Sequence, residues 1–109
     1  MIIAERTLHL NDRETEPVPV RLHQPSRSEH DWACRYEIAY PDRTISKEVF
    51  GVDQIQALQL AMQAIGIELH ASKEHKAGEL FWEEPGNGYG FPLPKNARDM
   101  LRGDDRTFF

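Results

Sequence analysis

The sequence predicts an α+β fold in which an antiparallel sheet of hairpins carries one long helix on one face. Three observations predict it. Apolar and polar residues alternate through the first half, one stretch repeats apolar residues at spacings of three and four, and a short strand-like segment follows it. Hairpins followed by a single helix favour an antiparallel sheet with the helix on one side. The predicted order is ββββαβ, and 109 residues suit a single domain, 1–109.

The first predicted hairpin joins residues 2–10 to residues 17–23 through the polar segment NDRETE at 11–16. Both segments alternate with period two, which is typical of half-buried strands. Pro17 and Pro19 share one parity of the second strand, and proline has no N–H to donate to a neighbouring strand. We therefore expect the second strand to lie at an edge of the sheet.

The second predicted hairpin begins with DWACRYEIAY, in which every second residue is aromatic or apolar. A two-residue Pro-Asp turn would pair Tyr40 with Arg43. The same register sets Arg35 opposite Glu48, a favourable pair of opposite charges. The pairs predicted on the apolar face are Cys34 with Val49 and Ile38 with Ile45.

Residues from Asp53 onward predict the long helix. The Asp53 side chain suits the N-cap, and Gln56 three residues later completes a capping-box pattern. The apolar stripe predicted to pack on the sheet consists of Ile55, Leu58, Met62, Ile65 and Leu69. Gly66 costs about 1 kcal/mol relative to alanine inside a helix, which a close approach to the sheet would explain. The segment ASKEHKAG ends the helix, with Gly78 as the stop.

Two short elements are predicted after the helix. ELFWEE at 79–84 has the alternation of a short strand. KNARDMLRG at 95–103 predicts a short C-terminal helix with Asn96 as its cap and Gly103 as its stop. The sheet would then gain a fifth strand, and the chain would close on a second helix.

The segment EEPGNGYGFPLP at 83–94 places three glycines at alternate positions, as phosphate-binding loops do. A dinucleotide-binding loop must lead directly into a helix, which Pro92 and Pro94 prevent, and the G-K-[ST] of a P-loop is missing. The favoured interpretation is a loop that folds Tyr89 and Phe91 back over the core. The alternative is a loop that binds a partner protein.

Charge and composition argue against several classes of function. The net charge is −5, whereas binding to nucleic acid needs clustered Lys and Arg. No apolar run approaches the roughly 20 residues of a membrane span, and Glu5 and Arg6 come too early for a signal sequence. Cys34 is the single cysteine, so the chain forms no internal disulfide, and we expect a cytoplasmic protein.

The titratable side chains show no recognisable catalytic or metal-binding spacing. His70 and His75 are five residues apart, whereas one helical face needs three or four. Cys34 belongs to the apolar face of its strand, and the adjacent Glu83 and Glu84 would point in opposite directions. We therefore expect no catalytic residue, no cofactor and no bound metal, and a protein that is not an enzyme.

The polar side of the predicted helix carries glutamines where exposed helices usually mix Glu and Lys. One interpretation is a soluble face, because glutamine is a good helix former. The other is a surface that contacts another protein, since uncharged amides cost less to bury than charges. The residues predicted to contact a partner are Gln56, Gln59, Gln63, Glu83, Glu84, Asn87, Tyr89 and Phe91.

These observations favour a small acidic protein-binding module. Its partner would be another protein, such as a basic toxin or enzyme, attracted by the negative charge of the chain. A second interpretation is a small-molecule-binding or catalytic domain with a pocket between the sheet and the loop, for which Tyr89, His9, His23 and Arg35 are the candidates. His9 and His23 lie on neighbouring predicted strands and could approach each other. A third is a structural homodimer formed through an exposed edge strand.

The segments FGVDQIQALQLAMQAIG, GELFWEE and GYGFP resemble an uncharacterised family of small bacterial domains. That family shares a G-x-D-x-x-Q-A-L-x-L-A helix start and a G-F-P-like ending. The matching residues are Gly51, Asp53, Gln56, Ala57, Leu58, Leu60, Ala61, Gly90, Phe91 and Pro92. The resemblance covers the second half of the chain and implies a fold rather than an activity. In size and acidity the chain is also similar to immunity proteins that neutralise bacterial toxins.

Overall fold

The computed structural model describes residues 1–11 and 15–109. Its strands are β1 (Ile2–Asn11), β2 (Thr15–His23), β3 (Ser26–Arg27), β4 (Trp32–Tyr40), β5 (Arg43–Gly51) and β6 (Leu80–Phe81). Its helices are α1 (Gln54–Ala71), α2 (Lys73–Lys76), a 3₁₀ helix at Lys95–Met100 and α3 (Asp105–Phe108). An antiparallel sheet with a long helix packed on it confirms the predicted α+β fold. The turn predicted at 11–16 includes residues 12–14, which lie outside the described part of the chain.

The strands of the sheet lie in the order β5-β4-β2-β1-β6, and every described pairing is antiparallel. The short strand β3 pairs with the beginning of β4. Successive long strands are therefore neighbours from β1 to β5, and α1 then takes the chain back to β6 beside β1. The core lies between α1 and the sheet and includes Leu8, Val18, Cys34, Ile38, Ile65 and Leu69.

The prediction that the second strand is an edge strand is wrong, because β2 lies between β1 and β4. Its pairing with β4, however, covers only Val20 to Leu22. Pro17 and Pro19 lie before those pairs, where a missing N–H interrupts no described ladder to β4. The prolines therefore mark where one side of β2 stops pairing rather than the edge of the whole sheet.

The register of the second hairpin is confirmed. Tyr40 pairs with Arg43 across the two-residue turn, and Arg35 lies opposite Glu48. The two pairs predicted on the apolar face, Cys34 with Val49 and Ile38 with Ile45, are also present. Cys34 and Ile38 are fully buried, so the alternation in the sequence identified the correct face of this hairpin.

The start of α1 is confirmed, but one predicted core residue is wrong. Asp53 accepts a hydrogen bond of 2.8 Å from the Gln56 N–H, and the Gln56 side chain accepts one of 2.7 Å from the Val52 N–H. Ile55 is 76% exposed, because the buried residues of α1 are centred on the side of Ala57. Two residues span about 200° of a helix, so Ile55 and Ala57 face opposite ways. The buried stripe is Ala57, Ala61, Ile65 and Leu69, with Leu58 and Met62 half-buried beside it.

Gly66 permits a close approach, but to the C-terminal segment rather than to the sheet. A Cβ at Gly66 would lie 2.4 Å from the carbonyl oxygen of Pro92. The segment 89–93 thus packs along α1, and it buries Tyr89, Phe91 and Leu93. The favoured interpretation of the glycine-rich segment, a loop folded back over the core, is confirmed.

The ends of the chain differ from prediction in detail. The strand predicted at 79–84 shortens to β6, and the helix predicted at 95–103 is a 3₁₀ helix that begins after Pro94 rather than at a capping Asn96. The sequence did not predict α3. The prediction that the long helix ends at Gly78 is wrong, because α1 ends at Ala71 and Gly78, with a φ of 73°, follows the separate helix α2.

Candidate functional site

The outer face of α1, which we define as Ile55, Gln56, Gln59, Leu60, Gln63 and Ile67, carries no charged side chain. Ile55 is 76% exposed, Ile67 43% and Leu60 37%. Val52 and Phe50, at the end where the helix begins, are also exposed. Apolar and amide side chains thus share one exposed helical surface, which is the composition expected of a contact surface rather than of a purely solvated face.

The three predicted glutamines contribute unequally to this face. Gln56 is exposed, but its side-chain oxygen is used by the cap of α1. Gln59 is exposed and Gln63 is half-buried. The side-chain amides of Gln59 and Gln63 are therefore the ones on this surface that remain available to hydrogen-bond a partner.

The other predicted partner residues lie in the segment 83–91, and they differ in how far their side chains are exposed. Glu83 and Glu84 are exposed, whereas Tyr89 is 5% exposed and Phe91 is 8% exposed. The prediction that Tyr89 and Phe91 contact a partner does not agree with this burial, since their rings belong to the core. Asn87 hydrogen-bonds Asp104 through both its amide nitrogen and its amide oxygen, so it holds the fold together.

The glycine-rich segment does cradle an anion, but the anion belongs to the same chain. The Asp105 carboxylate accepts hydrogen bonds of 3.0 Å from the N–H groups of Tyr89 and Gly90. A Cβ at Gly88 would lie 2.6 Å from that carboxylate, so glycine is needed for the approach. Asp105 is only 3% exposed, which leaves this cradle occupied by its own C-terminal segment.

Arg6 secures the same segment from the side of β1. Its guanidinium donates to the carbonyl oxygens of Tyr89 at 3.2 Å and Gly90 at 2.7 Å, and it lies 4.0 Å above the ring of Trp82. Partial burial lowers the pKa of Arg6, and the nearby Asp105 and Glu83 oppose this shift. Arg6 is therefore a structural cation that holds the glycine-rich segment against β1.

A cluster of rings lies where α1 ends. Ser72 has extended backbone and caps α2 by accepting a hydrogen bond from the His75 N–H, so the helix axis changes direction between His70 and His75. Their ring centroids lie 5.0 Å apart. The expectation that a spacing of five keeps them apart is wrong, because it assumed one continuous helix. The Tyr89 hydroxyl hydrogen-bonds Nδ1 of His75 and joins the cluster.

These rings line a cavity of about 90 Å³ together with Gly86, Gly88 and Arg102. His70 is 3% exposed, and its Nδ1 lies 2.8 Å from the carbonyl oxygen of Gly66. The buried Nε2 of His70 has no hydrogen-bond partner among the described residues. Burial, then the positive charge of Arg102 and the neighbouring His70, lower the pKa of His75. Burial raises the pKa of Tyr89 to about 12, so its hydroxyl stays protonated at neutral pH.

Comparison with known protein families assigns most of the chain to one domain family. A family model described as Domain of unknown function (DUF6968) matches residues 4–93. The chain belongs to this family. No curated protein and no solved structure matches it. The match covers β1 to β6, α1 and the glycine-rich segment, and it ends before Arg102 and Asp105.

The four residues of the second interpretation are not brought together in this DUF6968 domain. His9 pairs with Pro17 and lies beside Phe81, whereas His23 pairs with Ile2 at the other end of the strand pair. His9 and His23 therefore lie at opposite ends of the strand pair and do not approach each other. His23 and Arg35 both contact the Glu37 carboxylate, at 2.5 and 3.7 Å. Tyr89 belongs to the separate ring cluster.

Three further observations concern a metal site, a reactive thiol and a membrane-spanning helix. Among residues 1–11 and 15–109, no group of three His, Cys, Asp or Glu side chains is arranged to hold a metal ion. Cys34 is fully buried, and burial raises the pKa of its thiol, which disfavours the reactive thiolate. No helix in the same part of the chain is long and apolar enough to cross a membrane.

Proposed function

We propose that this chain is a protein-binding module that holds another protein through the outer face of α1. The observation that carries the proposal is the exposure of Ile55 and Val52, at 76% and 77%, beside a helical surface without charges. Large apolar side chains that are left in water on such a surface favour binding of a protein with a complementary apolar patch.

Charge favours a basic partner of a different sequence over a second copy of the chain. Each copy carries −5, so self-association would bring like charges together, whereas a basic protein would be attracted. Asp53, Glu83 and Glu84 are exposed and add to this negative field. An inhibitor of the immunity type, which covers the basic surface of a toxin or enzyme, is the form of this function that size and acidity favour.

The test compares two variants that each add one carboxylate. Ile55→Asp places a charge on the outer face of α1, and Thr44→Asp places one on an exposed position of β5. A partner captured from the native host would be purified, and its affinity for each variant measured by calorimetry. We expect Ile55→Asp to weaken binding at least about 30-fold, because burying its carboxylate against the apolar patch of the partner costs roughly 2 kcal/mol. Thr44→Asp adds the same charge outside the contact and should change binding less than about twofold.

Two controls decide between this proposal and its competitors. Light scattering of the free chain should give the mass of a monomer, and a stable dimer that Ile55→Asp dissociates would replace the proposal with self-association. Binding to a basic partner should weaken as salt is added. A partner that binds wild type and Ile55→Asp equally well would refute the assigned surface.

A further inference from the structure

A cavity lies between β1, β2, α1 and the segment 89–93. It has a volume of about 160 Å³. Its floor is formed by Val20, Ile65 and Phe91, each of which is at most 8% exposed. The other residues that line it are half-buried or exposed, so the cavity opens to solvent on their side. These rim residues are Ala4, Glu5, Arg6, Leu22, Met62 and Gly90.

The walls of this cavity are almost entirely apolar. Apart from Glu5 and Arg6, every residue that lines it is apolar. An apolar cavity of roughly 150 Å³ is large enough to hold a benzene ring. Because binding sites of this composition favour ligands with an apolar body, the cavity suits a single ring or a branched chain of about six carbons.

The Glu5 carboxylate is turned away from the cavity. Glu5 lies opposite Arg21 in the register of β1 and β2, and Nε of Arg21 donates to its carboxylate at 2.7 Å. Successive side chains of a strand point to opposite faces, and Leu8 and Leu10 of β1 face the core. The side chain of Glu5 therefore lies on the outer face of the sheet. Among the residues that line the cavity, Arg6 is the charged residue whose side chain lies on the inner face.

The guanidinium of Arg6 has donors that its structural role does not use. Its Nη1 donates to the carbonyl oxygens of Tyr89 and Gly90. Neither Nε nor Nη2 donates to a described residue, and neither is a buried nitrogen without a partner, so both are accessible to solvent. Asp105 and Glu83 are near enough to act on the pKa of Arg6. No carboxylate in the described part of the chain, however, lies within 4.0 Å of the guanidinium nitrogens.

The guanidinium lies at the end of the cavity that Gly90 and Phe91 form. A Cβ at Gly90 would lie 2.5 Å from Nη1 of Arg6, and the guanidinium carbon lies 4.9 Å from the centre of the Phe91 ring. Both Gly90 and Phe91 line the cavity. A ligand whose apolar body rests against Phe91 can therefore reach the guanidinium with a polar group at its edge.

We propose that this cavity binds the anion of a small apolar carboxylic acid. The ring or branched chain of the ligand lies on the buried floor, and its carboxylate accepts hydrogen bonds from Arg6. A guanidinium binds a carboxylate through two parallel hydrogen bonds, and Nε and Nη2 are a pair of donors suited to that geometry. None of the residues that line the cavity belongs to the outer face of α1, so the site is independent of the proposed protein contact.

Three ligands of similar size test the role of charge. Benzoate, benzamide and benzylammonium all carry a benzene ring, and at pH 7 they are anionic, neutral and cationic. In NMR titrations we expect benzoate to bind at least about fivefold more tightly than benzamide, and benzylammonium to bind most weakly. The net charge of −5 repels anions in general, so a preference for benzoate would report a local cation. Equal affinities for benzoate and benzamide, or no binding of benzoate, would overturn the proposal.

Two variants test the location of the site without removing a core contact. Ala4→Phe adds a ring at the rim of the cavity, and Thr7→Phe adds the same ring to another exposed position of β1 that does not line the cavity. We expect Ala4→Phe to weaken benzoate binding at least about tenfold, because its ring competes for the same space, and Thr7→Phe to change it less than about twofold. Equal effects of the two variants would refute the assigned cavity.

The ring of a bound benzoate also provides a direct measurement of its position. A ring in the cavity would lie beside the methyl groups of Met62 and Ile65, whereas Ile45 of β5 does not line the cavity. We expect benzoate to shift the methyl resonances of Met62 and Ile65 and the Nε–H resonance of Arg6, and to leave the methyl resonances of Ile45 unchanged. Binding of benzoate without a shift at Met62 and Ile65 would place the ligand elsewhere and overturn the proposal.

Discussion

Arg43 is the residue that fastens the second hairpin to the helical segment. It follows the turn of that hairpin, and its guanidinium makes two hydrogen bonds, of 2.8 and 3.0 Å, to the carboxylate of Glu74 in α2. Glu74 is 5% exposed. The hydrogen bond with Arg43 lowers the pKa of Glu74 and raises that of Arg43. A bidentate pair around a buried carboxylate is among the stronger polar contacts in proteins, and it is most costly when one partner is removed.

Replacing Arg43 should therefore destabilise the protein in a pH-dependent way. We expect Arg43→Met to lower the free energy of unfolding at pH 7 by about 2 kcal/mol, because the Glu74 carboxylate stays buried without its cation. The folded pKa of Glu74 is below its unfolded value of about 4.3. The stabilisation is therefore complete above that pH and is lost as the pH falls through the folded pKa.

Urea denaturation of wild type and Arg43→Met over a series of pH values measures this difference. The gap between the two proteins should narrow in acid, and Lys47→Met, which removes an exposed partner of Glu68, should lower stability by less than about 0.5 kcal/mol. A gap that stays constant down to the acid limit would show that Arg43 acts through packing on Tyr40 instead.

Helix α1 is the element whose packing explains most of the arrangement. It approaches the sheet so closely that a Cβ at Gly51 of β5 would lie 2.5 Å from the Ala57 nitrogen. Near its other end, the carbonyl oxygen of Pro92 packs directly against Gly66. Small residues at both ends thus set the distance of the helix from its two neighbours, and they turn Ile55 and Leu60 toward solvent.

At Gly66 this packing reverses the effect on stability that replacing a helical glycine with alanine usually has. Gly→Ala inside a helix normally stabilises by about 0.5–1 kcal/mol, since it reduces the freedom of the unfolded chain. At Gly66 the new Cβ would lie 2.4 Å from the Pro92 oxygen, which is backbone and cannot rotate away. We expect Gly66→Ala to lower the melting temperature, and Gln63→Ala, on the outer face of the same helix, to change it little. A higher melting temperature for Gly66→Ala would contradict the described contact.

The sequence predicted elements whose signals are local. Alternation and a two-residue turn determine the register of the second hairpin, because a slip by one residue would exchange its faces. Asp53 and Gln56 determine where α1 starts. The rotation of α1 could not be predicted in this way, since isoleucine and alanine are both apolar and the choice between Ile55 and Ala57 depends on the distance to the sheet.

The ring cluster was missed for a different reason. Ser72 is a good N-cap residue, and its position between His70 and His75 is the signal that could have indicated a break in the helix. Tyr89 and Asp105 offered no local signal, because their partners lie 14 to 16 residues away along the chain. Contacts of that kind follow from the fold of the whole chain rather than from any segment of it.

The whole molecule is tied together by its C-terminal segment. Residues 4–93 match the family, yet Asp105, beyond that match, supplies the carboxylate that binds Tyr89 and Gly90. Arg6 reaches the same two residues from the first strand. The two ends of the chain therefore meet at one loop.

Removing the Asp105 carboxylate should loosen that loop. Asp105→Ala leaves the N–H groups of Tyr89 and Gly90 buried without acceptors, and we expect it to lower the free energy of unfolding by about 2 kcal/mol. Amide hydrogen exchange at Tyr89 and Gly90 should accelerate more than exchange in β4. Asp99→Ala, which removes another exposed carboxylate of the C-terminal segment, is the matched control. Unchanged protection of these two amides in Asp105→Ala would show that the carboxylate is not their acceptor in solution.

The two prolines of β2 have a consequence for the behaviour of the protein at high concentration. Beyond the pairs that link Val20–Leu22 to β4, this strand presents Pro17 and Pro19. A fibril grows when each exposed backbone ladder templates the next molecule, and a strand that docked here would lack two of the donors it needs. This rim of the sheet therefore disfavours the addition of a strand from another molecule.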